Sequence, residues 1–443
     1  MTDKIFSAVK KHRDLILAAE RYIWNNPETG YREVKTTAYL AGEFEKLGYE
    51  LVRPEDITGF YTTVDTGREG PTLLILAELD SVICPGHPEC DKETGAVHSC
   101  GHHAQCAALL GIAAALKEPG MLDGLSGRIK LCAVPAEELL EIGYRTELRE
   151  RGVIKYLGGK SEFAHRGYFD DVDLAFMVHT SKGYTSLLGS VGCIAKTVIY
   201  KGKAAHAGGS PWNGVNALYA ASQGLNAVNA IRETFRDSDC IRFHPIITSG
   251  GAMVNAIPET ATIETYVRGM SFDAISGVNK RINRALTGAA LSLGANVEIR
   301  DLPGYAPLKN SRDMLNLAKE AYELLCPGET FVISETYSTG STDMGDLSSF
   351  MPVIHPYAAG AKGTSHGADY YIVNPDEACV KCAAWQITMM RLLLSDGAVR
   401  AKEIVDNYEA PFADVKEFLA YQDSIIISGD RIAYGDDKAE VLL

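Results

Sequence analysis

The sequence contains no long apolar run and no excess of positive charge. No stretch reaches the ~18 apolar residues that a membrane-spanning helix needs. The N-terminal stretch MTDKIFSAVKKHRDLILAAE mixes charged and apolar residues at helical spacing, unlike a signal peptide. The formal net charge of −14, with no basic stripe to offset it, repels phosphate backbones and anionic headgroups. We therefore expect neither nucleic acid nor a membrane as a partner.

The cysteines lack the spacing of a disulfide framework. Ten of them are scattered over 443 residues, which is typical of reduced thiols in a cytoplasmic protein. No segment has the Pro, Ser or single-charge bias of a disordered region. The length exceeds the ~250–300 residues at which one hydrophobic core usually stops growing. These features predict a folded cytoplasmic protein of two domains, in which a special cysteine is best explained as a metal ligand.

Three apolar runs have the character of buried strands, and metal-type or acidic side chains follow each of them. The runs are residues 73–79, 129–134 and 174–178. Asp80 follows the first run, Glu137 and Glu138 follow the second, and His179 follows the third. A helical segment at 104–116 separates the first two runs, as a parallel crossover requires. The pattern predicts an α/β sheet whose functional groups gather at the carboxyl ends of its strands.

The periodicity changes between Gly189 and Tyr305. Strand-like and helical segments follow one another there in the order β-α-β-β-α-β, the split unit of ferredoxin-like folds. We therefore expect a small domain at residues 189–305 inserted into a larger, discontinuous domain at 1–188 and 306–443. A long Gly, Ser and Thr-rich stretch at 338–369 is expected to serve a site.

The segment HSCGHH concentrates thiol and imidazole groups directly before a helix. Cysteine and histidine are the ligands of zinc and related metals. Residues i and i+2 of an extended segment point the same way, so Cys100 and His102 can reach one ion. Two carboxylates at one strand end, Glu137 and Glu138, can divide the work of a hydrolase: one binds the metal and the other takes a proton from metal-bound water.

Each of these residues also has a structural interpretation. The glutamate pair fits the charged first turn of a helix. His179 ends an apolar run, where a core histidine bonded to the backbone is the alternative, and His366 lies in the polar loop KGTSHG, where surface histidines are common. Their joint placement at strand ends and in loops favours a metal site over the separate interpretations.

The motifs together carry a resemblance to a known family. In chain order they are HSCGH, PAEE, MVHTS, GKAAHAGG, NAIP followed by YVRG, STDMGDLS and TSHGAD, and the match extends from near the N-terminus to about residue 395. The series resembles the metal-dependent aminoacylase and carboxypeptidase family of amidohydrolases. It is most similar to the branch of plant indole-acetyl-amino-acid hydrolases and bacterial aminobenzoyl-glutamate hydrolases. The resemblance implies an α/β, zinc-peptidase-like catalytic domain with a central mixed sheet and an inserted ferredoxin-like lid through which subunits dimerise.

The resemblance also implies roles for individual residues. The positions that bind two metal ions in this branch correspond to Cys100, His102, Glu138, His179 and His366. Glu137 matches the general base, and Asp80 matches an acidic residue that orients a metal ligand. His206 matches a lid histidine that reaches a neighbouring subunit's site and stabilises the tetrahedral oxyanion. Asn255 and Arg268 match lid positions that hold the substrate's carboxylate.

The chain departs from the branch in two places. It has CGHHAQ where the branch has Cys-Gly-His-Asp-Gly-His, so His103 and Gln105 replace Asp and His, which puts the fit of substrate near the site in doubt. An insertion at 84–98 carries two cysteines and two histidines, and a substrate-shaping loop is favoured over a separate zinc clip because the spacing is irregular. Cys379 and Cys382 lie in an apolar helical pattern and are interpreted as buried thiols.

The sequence thus predicts a two-metal amidohydrolase that acts as a homodimer on a small amide substrate with a carboxylate. The thiolate ligand favours zinc, while manganese, nickel and cobalt remain alternatives. One competing hypothesis is a dipeptidase or aminopeptidase that recognises a free amino terminus. Another is a noncatalytic binding protein that uses its metals structurally, against which the intact Glu137 argues.

Overall fold

The computed structural model describes residues 2–443, which form two compact units. The first unit runs to Gly189 and resumes at Leu308–Ser338 and Thr342–Val415. The second unit consists of Ser190–Pro307, Thr339–Ser341 and Lys416–Leu443. Within residues 2–443 no helix has both the length and the apolar character needed to cross a membrane.

Thirteen α-helices lie within the described residues. They are α1 (Thr2–Lys11), α2 (Arg13–Trp24), α3 (Val34–Lys46), α4 (His102–Leu116), α5 (Ile142–Glu150), α6 (Gly159–His165), α7 (Ala217–Arg232), α8 (Phe272–Ser292), α9 (Arg312–Leu325), α10 (Met344–Ser348), α11 (Cys382–Leu394), α12 (Val399–Asp406) and α13 (Val415–Ile425). A π-helical turn at Asp376–Lys381 leads into α11.

Ten strands build the two main sheets. They are β1 (Phe60–Asp65), β2 (Thr72–Glu78), β3 (Arg128–Val134), β4 (Leu174–Phe176), β5 (Gly192–Lys201), β6 (Arg242–Phe243), β7 (Ile246–Ser249), β8 (Thr260–Gly269), β9 (Asn296–Pro303) and β10 (Val353–Ile354). Shorter strands lie at Val82–Ile83, Ala96–Val97, His179–Thr180, Thr185–Ser186, Gly189–Ser190, Leu308–Lys309, Val332–Ile333, Tyr337–Ser338, Tyr357–Ala358, Ala361–Lys362, Tyr371–Ile372, Ile432–Tyr434 and Ala439–Val441.

The main sheet of the first unit is mixed and has the order β1-β3-β2-β4-β10. β1 is antiparallel to β3, and the remaining neighbours are parallel. Every residue of β2 and of α4 is buried, as expected for parallel strands and for a helix that is apolar on all sides. The predicted α/β fold with a central mixed sheet is confirmed, and the carboxyl ends of β2, β3 and β4 lead directly into the acidic and histidine-bearing segments.

The second unit contains an antiparallel sheet, the helices α7 and α8, and almost all of α13. Its strands have the order β6-β8-β5-β9, and β7 also pairs with β8. Buried and partly exposed residues alternate along β8, which is typical of a sheet with one covered face. Apolar residues of α7 and α8 pack with the covered face in one cluster. Along the chain the elements run β5-α7-β6-β7-β8-α8-β9. This differs from the predicted β-α-β-β-α-β order in that one expected strand is divided into β6 and β7.

The C-terminal segment differs from the predicted domain ranges, which place all of 306–443 in the larger domain. Residues 416–443 belong to the second unit. The backbone N–H of Ile299 donates to Gly429 O (3.2 Å), and that of Asp301 donates to Ile427 O (3.0 Å). Ile432 is buried in the unit's apolar cluster. The physical reason is that β9 is an edge strand, and the tail pairs with backbone groups that the edge leaves open.

Candidate metal centre

The turn before α4 brings the Cys100 segment against two other parts of the first unit. Gly101 has φ 100°, in the left-handed region that glycine adopts without strain. A Cβ atom at Gly101 would collide with the hydroxyl groups of Thr180 and Tyr370. The Cys-Gly-His spacing therefore requires glycine at its centre, both for the turn and for the close approach of the neighbouring segments.

The structure brings the five predicted metal-binding residues together in two adjoining groups. Within each group the potential ligand atoms lie within 4.8 Å of one another; the groups are Cys100, His102, His179 and Cys100, Glu138, His366. Cys100 Sγ is 3.3 Å from His179 Nε2, and His366 Nε2 is 3.0 Å from Glu138 Oε1. One thiol is thus common to both groups.

Asp80 fixes the orientation of His102. His102 Nδ1 donates to the backbone oxygen of Asp80 (2.9 Å), which leaves Nε2 as the nitrogen with a free lone pair. The backbone N–H of Glu138 donates to Asp80 Oδ2 (2.8 Å). One aspartate therefore holds a residue from each group, which is the arrangement typical of residues that orient metal ligands.

The donor set fits divalent metal ions. His102 Nε2 is fully buried without a hydrogen-bond donor, and a Glu78 carboxylate oxygen lies 3.2 Å from it. Two acceptors at this distance repel one another unless a cation or a proton lies with them. Thiolate, imidazole and carboxylate are together the ligands of zinc and related borderline ions.

The groups perturb one another's protonation. Burial and the Glu138 charge oppose ionisation of the Cys100 thiol, but the adjacent imidazoles outweigh them and lower its pKa to about 6. Burial also disfavours the Glu138 carboxylate, yet the hydrogen bond from His366 lowers its pKa to about 2. Hydrogen bonds to Cys100 and Glu138 raise the pKa of His366 to about 11. The cluster therefore favours the thiolate of Cys100 and the carboxylate of Glu138, which are the forms of these two residues that bind metal.

Glu137 lies beside the two groups but has a different electrostatic character. Its carboxylate is 3.9 Å from His102 Nε2. Burial, followed by the charges of Glu78 and Glu138, raises the pKa of Glu137 well above its ordinary value. Adjacent carboxylates with opposite shifts are typical of acid–base pairs in enzymes, where the residue with the raised pKa exchanges protons.

Three buried charged residues next to the site were not predicted from the sequence. Lys160 Nζ lies 2.6 Å from Glu78 Oε1 and also pairs with Asp343, and all three side chains are fully buried. Gln105, one of the departures from the branch, donates through Nε2 to Glu78 Oε2 (3.1 Å). Glu78 shares the strand face of Asp80 by i, i+2 spacing, a signal that could have identified it. Lys160 has no comparable signal.

The remaining predicted site residues belong to the second unit. His206 Nδ1 accepts from the backbone N–H groups of Gly208 (3.2 Å) and Gly209 (2.9 Å). The backbone oxygen of Asn255 accepts from Ala207 N (2.9 Å), so His206 and Asn255 lie on paired segments. Arg268 donates to His244 Nε2 (3.2 Å) and to Ser341 Oγ (2.9 Å).

The insertion at 84–98 does not form a second metal cluster. No group of neighbouring metal-binding atoms within residues 2–443 includes Cys84, His87, Cys90 or His98. Cys379 and Cys382 are buried in helical segments of the first unit's core, as expected. The metal-binding chemistry that the structure describes is therefore concentrated at the carboxyl edge of the main sheet.

A thiol, imidazoles and carboxylates converging at one sheet edge define a metal-dependent hydrolase. The profile of Peptidase family M20/M25/M40 matches residues 74–391, and the chain belongs to this family. It is therefore a hydrolase of amide bonds, as the motifs predict.

Individual relatives support the assignment. The human Xaa-Arg dipeptidase is 31% identical over 362 residues, which cover 80% of this chain and 78% of that protein. Indole-3-acetyl-aspartic acid hydrolase of Enterobacter agglomerans is 30% identical, over 62% of this chain and 70% of that protein. The predicted branch is thereby confirmed. A dinuclear metal-binding peptidase of the M20 family from Bacillus subtilis shares the fold, with a TM-score of 0.64, 20% identity and coverage of 87% of this chain and 99% of that chain.

Replacing Lys160 with Met should destabilise the first unit by ~3–5 kcal/mol, because it leaves Glu78 and Asp343 as buried, uncompensated charges. The urea midpoint of the unfolding transition measures the effect. Lys46→Met is the matched control, since Lys46 pairs with Glu43 at 2.6 Å with its side chain 72% exposed, and a surface pair contributes ~0–1 kcal/mol. Equal midpoints for the two variants would contradict the prediction.

Proposed function

We propose that the chain hydrolyses the amide bond of a small N-acyl amino acid, with Glu137 as general base. The observation that carries the proposal is the pair of ligand groups sharing Cys100, with the buried Glu137 carboxyl beside both. Cys100, His102 and His179 would hold one divalent ion, and Cys100, Glu138 and His366 the other. When bound, the ions supply Lewis acidity that lowers the pKa of water and polarises the acyl oxygen.

The side chains of the protein perform the proton transfers. Glu137 takes a proton from a water molecule while the oxygen of that water attacks the acyl carbon. Glu137 then gives the proton to the leaving nitrogen as the C–N bond breaks. The raised pKa of Glu137 makes the carboxylate basic enough to accept the proton. Asp80 keeps Nδ1 of His102 protonated, so that Nε2 faces the ion.

The ligand chemistry favours zinc, because a thiolate belongs to both groups. Manganese, nickel and cobalt are the alternatives for sites with imidazole and carboxylate ligands. Elemental analysis of the protein purified without added metal distinguishes these ions and should give two equivalents per chain.

Glu137→Gln should abolish turnover while two metal equivalents are retained, since the amide keeps the shape of the side chain but cannot accept the proton. Turnover is measured as amine release from N-acyl amino acids, and metal content by elemental analysis. Glu138→Gln serves as the comparison, because a change at a ligand should reduce metal content as well. Retained activity in Glu137→Gln would remove this residue from the mechanism.

Arg268, together with Asn255, is proposed to bind the substrate's carboxylate. A guanidinium group forms two parallel hydrogen bonds with a carboxylate. The antiparallel register of β6 and β8 places Arg242 directly opposite Arg268, and like charges in this position repel one another unless an anion binds. The substrate named for the Enterobacter relative is an amide of aspartic acid, which supports recognition of an amino-acid carboxylate.

Arg268→Met should lower kcat/KM for N-acyl amino acids by ~10–100-fold, the equivalent of a charged hydrogen bond of ~1.5–3 kcal/mol. The same substitution should leave hydrolysis of the corresponding N-acyl amino-acid amides nearly unchanged, because those substrates lack the carboxylate. Arg300→Met is the control, since Arg300 lies in the same sheet and pairs with Glu298. A loss of equal size on both substrate series would contradict the assignment.

A dipeptidase activity is the second candidate function, favoured by the similarity to the human Xaa-Arg dipeptidase. The two candidates differ at the amino end of the substrate. Dipeptides and their N-acetylated forms, matched in sequence, therefore separate them: preference for the free amine identifies a dipeptidase, and preference for the acylated form identifies an aminoacylase. Turnover of either kind excludes a purely noncatalytic binding protein.

We further propose a homodimer in which the second unit is the lid and the partner subunit's His206 stabilises the oxyanion. The exposed large apolar side chains of this unit include Trp212, Tyr219, Ile246, Ile247, Met253 and Val254. Trp212 and Tyr219 follow the segment that carries His206, and the other four precede Asn255, whose segment pairs with that of His206. Strand β7 is exposed along its whole length. Exposed apolar patches and open edge strands are typical of subunit interfaces.

Mixing Glu137→Gln with His206→Ala should restore activity that neither variant has alone. Each variant lacks a different component, so a heterodimer contains one site with Glu137 and the partner subunit's intact His206. Random association of equal amounts makes about half of the dimers heterodimers with one intact site each, so the mixture should have ~25% of wild-type specific activity. His206→Ala alone should lose ~100–1000-fold in kcat. Sedimentation of the mixture confirms the dimer, and an absence of complementation would place His206 within its own subunit's site.

A cytoplasmic location completes the proposal. All ten cysteines are free thiols, and Cys100 must remain reduced to act as a ligand. A reducing compartment such as the cytoplasm satisfies this requirement.

A further inference from the structure

Three segments that carry proposed metal ligands meet at the hydroxyl group of Tyr370. This phenol is buried, with 4% of its surface exposed. Its hydroxyl donates to the backbone oxygen of Cys100 (3.3 Å) and lies 2.7 Å from Thr180 Oγ1. A phenol has one proton, so the Thr180 hydroxyl must donate to Tyr370. The result is a directed chain of hydrogen bonds from the residue after His179, through Tyr370, to Cys100.

The turn at Cys100–His102 packs closely against the hydroxyl groups of Thr180 and Tyr370. The hydroxyl groups of Thr180 and Tyr370 occupy the position that a Cβ of residue 101 would take. The Cys100–His102 turn can therefore close on this hydroxyl pair only because residue 101 is glycine.

The loop that carries His366 needs external support. His366 has φ 62°, a conformation that costs a residue with a side chain of order 1–3 kcal/mol. Its backbone N–H donates to Ser99 O (2.9 Å), and Thr364 N donates to Asp369 Oδ1 (3.0 Å). Tyr370 closes this loop, since its N–H donates to Gly367 O (3.4 Å). The position of Tyr370 thus fixes the end of the strained segment.

The insertion at 84–98 supports Tyr370 from the other side. His87 is 1% exposed, and its Nδ1 accepts from Glu89 N (3.1 Å). This bond leaves the Nε2–H group to donate to the backbone oxygen of Tyr370 (3.1 Å). The His87 ring packs against Trp24 and Tyr371, with centroids 5.7 and 5.0 Å away. The insertion therefore reaches the ligand loop through a buried histidine with a defined tautomer.

We propose that Tyr370, held by Thr180 and His87, is a positioning residue that sets the spacing of Cys100, His179 and His366 and thereby the affinity for metal. The function of the insertion at 84–98 is to hold Tyr370 in place. This inference rests on the proposed function in one respect, namely that the three residues are metal ligands. Tyr370, Thr180, His87 and the three ligands all lie within the first unit.

Tyr370→Phe tests the proposal because it removes one oxygen and keeps the ring. The zinc dissociation constants of the apo-protein, measured by competition with a chromophoric chelator, should rise by ~10–100-fold, as for other residues that hold metal ligands from outside. KM at saturating zinc should stay unchanged. In the cobalt-substituted protein the thiolate-to-metal absorption band should shift, since the Cys100 carbonyl loses its donor.

Two further variants separate positioning from a general loss of stability. Thr180→Val should weaken zinc binding by no more than Tyr370→Phe does, because it leaves the bond from Tyr370 to the Cys100 oxygen. The double variant should bind zinc no more weakly than Tyr370→Phe alone, because Tyr370→Phe already removes the Thr180–Tyr370 hydrogen bond. Tyr371→Phe is the matched control: it is the adjacent tyrosine, its ring faces Trp24, and its zinc affinity should equal that of the wild type. His87→Phe should weaken zinc binding with the ring retained.

The outcomes are distinguishable from a failure of the proposed function. Wild-type protein that binds no zinc would overturn both the metal assignment and the positioning role. Wild-type binding of two equivalents, with unchanged affinity in Tyr370→Phe, would overturn the positioning role alone. A lower urea midpoint of apo Tyr370→Phe without a change in zinc affinity would show that the phenol serves only stability, and would likewise overturn it.

Discussion

Charge compensation at the carboxyl edge of the main sheet is the constraint on which the rest of the structure depends. Five carboxyl groups and one thiol are buried there: Glu78, Asp80, Glu137, Glu138, Asp343 and Cys100. Burial of unpaired negative charges is unfavourable by several kcal/mol each. Lys160 compensates part of this charge from within the protein, and the histidines compensate more. Two divalent ions would compensate the remaining negative charge. The groups whose burial is unfavourable without a cation are therefore the same groups that would bind the ions.

The sequence predicted the parts of the site that depend on local spacing. Strand ends can be located from apolar runs, and these ends place Asp80, Glu138 and His179 at one edge of the sheet. The i, i+2 relation of Cys100 and His102 follows from backbone geometry alone. The order of the motifs along the chain indicated the family and its branch; the profile match agrees with the family, and the similarity to indole-3-acetyl-aspartic acid hydrolase agrees with the branch. Local periodicity likewise predicted the alternation of strands and helices in the second unit, except that one expected strand is divided into β6 and β7.

The parts that the sequence did not reveal depend on contacts between distant segments. Lys160 is 82 residues from Glu78 and 183 from Asp343, and no periodicity links such positions. The pairing of the C-terminal tail with β9 depends on which edge of a sheet is left open, which only the assembled sheet shows. Tyr370 belongs to the same class: its hydroxyl contacts residues 190 and 270 positions away. A lone buried tyrosine carries no signal of such a role.

The common position of Cys100 in both ligand groups has a chemical consequence. Because a single sulfur serves both groups, no reagent can modify one of them at this residue and spare the other. If both groups hold ions as proposed, alkylation or oxidation of that atom would remove a ligand from both at once. Two independent cysteines would instead leave one group intact after such a modification.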